Sequence, residues 1–185
     1  MNWQNNSIRY GSLSIGLHWL MFVLIAAVYA CIEFRVLFPK GSDPREALKM
    51  WHFMLGLSVL LLTCLRLLVR FASGPKPSIE PPASRWQEWL ATAVHYALYG
   101  LMLGMPLAGW LILSWGGKPI PFFGLQLPAL VAENKELSKW LKEIHETAGT
   151  VGYFLIGLHA VAALFHHYVR RDNTLSRMLW GKHRS

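Results

Sequence analysis

Hydrophobic positions in this chain gather into four long runs, separated by shorter stretches where proline, glycine and charge interrupt them. The runs cover about residues 13–31, 47–69, 89–115 and 144–169. Each approaches or exceeds the roughly 20 residues an α-helix needs to cross the hydrocarbon core of a bilayer. The pattern predicts an all-α membrane protein, a bundle of four transmembrane helices, with residues 1–185 forming a single domain. The first run is long and has no small-residue cleavage site behind a short apolar segment, so it is expected to be retained as a span.

The breaks between runs carry their own signals. RVLFPKGSDPREALK holds Pro39, Gly41 and Pro44, and Asp43 is expected to cap the second helix with Pro44 at its first position. Residues 71–89 contain Pro75, Pro77, Pro81 and Pro82 beside Gly74 and read as an extended linker. Ser84 with Glu88 marks the next helix start, at a spacing of four that falls short of a capping box. Pro106 is expected to kink the third helix. Residues 116–138 are long for a connection and rich in Pro, Gly and aromatics; they read as a lid or binding surface, or else Phe122 and Phe123 dip into the membrane interface.

Composition supports the membrane reading and removes other classes. The chain is 54% hydrophobic and 15% charged, too apolar for an ordinary soluble domain. Its net charge of +8 would suit nucleic acid, but the basic residues fall in connections and tails rather than on one soluble face. They act instead as topology signals. Ten Lys and Arg belong to the side holding both termini and the 71–89 linker, against eight on the other side, which places both termini in the cytoplasm. His183, in the basic carboxyl tail, reads as solvated. Cys31 and Cys64 are expected near opposite membrane faces and do not pair. The absence of C-x-x-C-H excludes covalently attached c-type haem, and no C-x-x-C suggests zinc or iron–sulfur.

The chemistry lies in histidines within the apolar runs. His145 and His159 are fourteen residues apart on the last run, which in a helix is about four turns and roughly 21 Å of rise, so both imidazoles share one face. His166 continues that face, next to His167. Polar side chains at such depths are expensive and need a partner. His52 and His145 lie near the outer ends of their runs, whereas His18, His95 and His159 lie in the inner half. Two imidazoles at equal depth on different helices can hold one iron from both sides of a porphyrin. By depth, His52 pairs with His145, and His159 pairs with either His18 or His95. Zinc would prefer three or four ligands at one depth. His52 and His145 each precede a glycine by four residues, Gly56 and Gly149, where a missing side chain admits a flat ring, although glycines also serve close helix packing. Arg66 and Arg70, one turn apart, either snorkel to headgroups or pair with buried carboxylates of a cofactor.

The segments SIGLHWLMF, YACIEFRVLFP, MWHFMLGLS and above all WLKEIHETAGTVGYFLIGLHAVAALFHHYVRRDNTL resemble the bacterial cytochrome b561 proteins, including the superoxide:ubiquinone oxidoreductase type. The resemblance runs over nearly the whole chain. It implies a four-helix bundle holding two non-covalent b haems, with His18 and His159 on the inner iron and His52 and His145 on the outer. It also implies a quinone site at His166, with ubiquinone the expected substrate. The implied function is transmembrane electron transfer in the bacterial inner membrane, from a one-electron donor at the periplasmic face, with superoxide a candidate, to membrane quinone. The alternative is a haem b anchor and electron conduit for a separate dehydrogenase or hydrogenase subunit.

Overall fold

The computed structural model describes residues 3–180, and His183 lies outside them. Four helices dominate: α1 (Ser12–Phe34), α2 (Asp43–Ala72), α3 (Arg85–Trp115) and α4 (Lys135–Phe165). All four are long and apolar enough to cross a membrane. Their side chains explain why a bilayer is required. Leu68, Phe71, Phe154 and Val161 are well exposed to the surroundings, a pattern that would aggregate in water and is natural against lipid.

The helix starts follow local polar chemistry more closely than the apolar runs do. The Ser42 carbonyl accepts the Glu46 N–H at 3.1 Å, so Ser42 is the capping residue and Asp43 and Pro44 are the first two helical residues. Proline is tolerated there because its missing N–H has no intrahelical partner to lose. The start of α3 is likewise revised. Ser84 donates from its backbone N–H and its hydroxyl to Gln87 Oε1, at 3.1 and 2.8 Å. The box partner is thus Gln87 at the proper spacing of three, and not Glu88. α3 then continues through Pro106 without interruption.

α4 begins at Lys135, well before the apolar run at 144. Asn134 caps it, accepting the Leu137 N–H on Oδ1 at 3.0 Å. The polar first turns therefore belong to the helix, and the connection before it is shorter than the sequence suggested. That connection is a folded hairpin. β1 (Ile120–Phe122) pairs antiparallel with β2 (Leu125–Leu127). Phe123 and Gly124 turn it with φ of 45° and 84°, the left-handed pair that matches strand twist in a two-residue hairpin. Ile120 is buried with Leu57 and Leu113, and Phe122 packs against them. Phe123 points the other way, half exposed beside Trp51. The two phenylalanines have different environments.

The chain forms two compact units, each drawing a segment from all four helices. One comprises residues up to Leu20, Cys64–Tyr99 and everything from Gly152 onward; the other comprises Met21–Thr63 and Gly100–Val151. In the first, the proline-rich linker is extended as expected but firmly tied down. Asn5 N–H donates to Ser73 O at 3.1 Å, and Asn173 exchanges two bonds with Glu80, at 3.1 and 3.0 Å. Arg177, counted from sequence among the topology-setting cations on the side of both termini, is buried and donates to Pro77 O at 2.6 Å. It holds the carboxyl segment to the linker.

Candidate functional site

Each compact unit contains facing imidazoles. In the unit with both chain ends, His18 of α1 and His159 of α4 have ring centroids 6.2 Å apart, with planes at 67°. In the other unit, His52 of α2 and His145 of α4 are 6.3 Å apart at 77°. A metal–imidazole bond is about 2 Å and a ring nitrogen lies about 1.2 Å from its ring centre, so two imidazoles trans on one metal have centroids roughly 6.3 Å apart. Both pairs match that span. His95 does not repeat it with His159: those centroids are 5.3 Å apart, and His95 Nδ1 is engaged by its own helix at Ala91 O.

The surroundings fit a flat, partly apolar group. A Cβ built on half-buried Gly56, four residues after His52, would meet no heavy atom within 4 Å, and Gly109 turns its bare face toward His145 Cε1 at 3.8 Å. Gly149, the second of the two glycines spaced four residues after a histidine, is different. It faces Met105 at 3.7 Å, and its carbonyl accepts the Tyr29 hydroxyl at 2.9 Å. Buried His145 Nδ1 has no protein partner among the described residues. Among the described residues no group of three or more His, Cys, Asp or Glu is placed to hold a metal ion.

Two of the four rings are met from behind, by groups of different kinds. His52 Nδ1 lies 3.0 Å from the Val28 carbonyl. His18 Nδ1 lies 3.0 Å from Arg66 Nη2, whose guanidinium also sits over the Tyr99 ring at 5.8 Å. Arg66 thus reaches the histidine site and does not snorkel outward.

His166 begins a five-residue π-helical turn, His166–Arg170, that ends the last span. Such wide turns recur at functional positions because they re-aim side chains. Here the turn, followed by Arg171 at φ 56°, brings Asp172 back under His166: Nδ1 and Oδ2 are 2.5 Å apart. The Asp172 side chain is fully buried. Burial alone would push its carboxyl up, but the hydrogen bonds from His166 and Thr174 prevail and hold it below its usual 3.8. His167, by contrast, meets the Tyr168 ring edge to face at 4.8 Å. Nothing in the run HHYVRRDN distinguishes Asp172 as a partner, because a π turn has no strong local sequence signal.

Four membrane-crossing helices with two facing histidine pairs describe a transmembrane cytochrome b. Comparison with known proteins makes the class specific. Residues 9–181 match the prokaryotic cytochrome b561 family. Over 171 residues the chain is 40% identical to cytochrome b561 homolog 1 of Escherichia coli (strain K12), covering 92% of this chain and 97% of that protein. It is 39% identical to the probable superoxide oxidase CybB of Yersinia pestis, covering 92% and 96%, and 28% identical to cytochrome b562 of Cereibacter sphaeroides, covering 92% and 94%. The chain belongs to the prokaryotic cytochrome b561 family. It is a multi-pass bacterial membrane protein for transmembrane electron transfer, and the family implies haem b as its cofactor.

Proposed function

We propose that the chain binds two b haems, one between His18 and His159 and one between His52 and His145, and carries electrons from a periplasmic one-electron donor to membrane quinone. The observation that supports this best is the pair of centroid separations, 6.2 and 6.3 Å. When bound, each haem supplies a one-electron centre whose two imidazole ligands leave no open position for oxygen.

The remaining work falls to the chain. The four histidines fix ring position and depth. Gly56 leaves room for a planar group beside His52. His166 meets a quinone carbonyl through Nε2, while Asp172 holds Nδ1 and so sets the ring's orientation. Both termini lie in the cytoplasm of a bacterium whose inner membrane holds the protein. Arg35, Lys40 and Lys118 then face the periplasm, where they attract an anionic donor such as superoxide in a salt-sensitive way. A relative named as a probable superoxide oxidase favours that donor.

Purified protein tests the reading directly. It should show a b-type spectrum and two haems per chain, and should reduce a short-chain ubiquinone analogue when supplied with superoxide. A single haem, or two haems with no quinone reduction by the isolated protein, would overturn the proposal.

A further inference from the structure

One histidine of each pair, His52 and His18, is met from behind, and by opposite kinds of group, which has an electronic meaning. A neutral imidazole that binds iron through Nε2 keeps its proton on Nδ1. For His52 that N–H points at the Val28 carbonyl, 3.0 Å away. A carbonyl acceptor raises the basicity of the ring and its donation to the metal, which favours the oxidised iron. For His18 the group at the same 3.0 Å is Arg66 Nη2. A guanidinium has five donors and no acceptor, so in this contact His18 Nδ1 accepts; with iron on Nε2 and the proton on Nδ1, Arg66 would offer no acceptor and would leave a positive charge beside the ligand.

The wider charge distribution points the same way. The electrostatic neighbours of Arg66 are Tyr99, Arg70 and Tyr10, and among the described residues no carboxylate forms an ion pair with it. Arg66 acts on both His18 and His159, while Arg70 and Lys76 act on nearby His95. At the other pair the charges oppose one another: Arg35 acts on His52 and Glu146 on His145. Reduction adds one negative charge at the iron, and an uncompensated cation nearby stabilises that state.

We infer that Arg66 is a potential-setting residue, which holds the haem site of His18 and His159 at a higher reduction potential than that of His52 and His145. The inference rests on the ligand assignment proposed above. It gives the pair of sites a built-in direction, favouring an electron on the side of His166.

A redox titration of the full-length protein in detergent, followed through the haem absorption bands, tests this. His52→Ala and His18→Ala assign the two components. The haem left in His52→Ala should titrate at the higher potential, and the one left in His18→Ala at the lower. Arg66→Gln should lower the high component and leave the other unmoved, and Arg66→Lys, which keeps the charge, should retain most of the wild-type value. With both haems present, a high component unmoved or raised by Arg66→Gln would overturn the inference. Should Arg66→Gln lose haem, the order of the two components in the histidine variants decides, and the reverse order would overturn it. If His18→Ala retains both haems, the ligand assignment itself has failed, a result separable by haem quantitation.

Discussion

Asp172 Oδ2 lies 2.5 Å from His166 Nδ1, across the π-helical turn that closes the last span. The carboxylate also accepts the Thr174 N–H at 2.9 Å and stands 3.9 Å from Arg170 Nε. One buried side chain therefore fixes the histidine and the reversal of the chain beneath it. If His166 meets quinone, Asp172 is its positioning residue. His166→Ala should abolish quinone reduction while both haems still bind. Asp172→Asn should lower kcat for quinone reduction, and neither it nor His166→Gln should change haem content. Steady-state quinone reduction with parallel haem quantitation separates these outcomes.

The same carboxylate predicts a dependence of stability on pH. Its folded pKa is below the usual 3.8, so its stabilising contribution is complete above that value and fades as pH falls through the lower folded one. Thermal unfolding in detergent from pH 7 down to pH 3 should show wild type losing a component that Asp172→Asn lacks throughout. At neutral pH the substitution should cost about 1–3 kcal/mol, the range for disrupting a buried hydrogen-bonded group. Equal pH profiles for the two proteins would contradict the argument.

Haem content should respond to the histidines in twos. His52→Ala and His145→Ala should each lose one haem, and His18→Ala and His159→Ala the other. His95→Ala should lose neither, since its ring is 5.3 Å from His159 and bonded to its own helix. Haem extraction with protein quantitation checks all five. A haem lost in His95→Ala but kept in His18→Ala would reverse the assignment.

Gly56 offers a steric test. Because a Cβ there meets nothing within 4 Å, Gly56→Leu should fold normally yet lower occupancy of the His52–His145 site alone. Near-normal melting of the haem-free protein together with reduced haem is the expected result. Unchanged occupancy would mean that the space beside Gly56 belongs to lipid.

Gln87 ties two helix ends together. Its Oε1 accepts from Ser84 at the start of α3 and from Arg170 Nη1 at 2.6 Å. Gln87→Ala should destabilise the protein by about 1 kcal/mol through the lost cap, with more from the Arg170 bond. Chemical denaturation in detergent would measure it. No loss would show that water replaces both bonds.

What the sequence determined by itself is what depends on counting residues along one helix. Apolar length set the four spans, and residue number set which histidines share a depth, so His52 and His145 could be matched before any packing was known. Depth could not separate His18 from His95. That choice depends on the azimuth of each ring about its helix, which neighbours decide. Packing bears on it and supports the proposed pairing: His18 stands 6.2 Å from His159, and His95 stands 5.3 Å away with Nδ1 at the Ala91 carbonyl. The same reason hid Gln87 as the cap partner of Ser84, the burial of Arg177, the reach of Arg66 to His18 and the return of Asp172 to His166. Each is a contact made by a side chain's direction in space, and only the tertiary structure sets that direction.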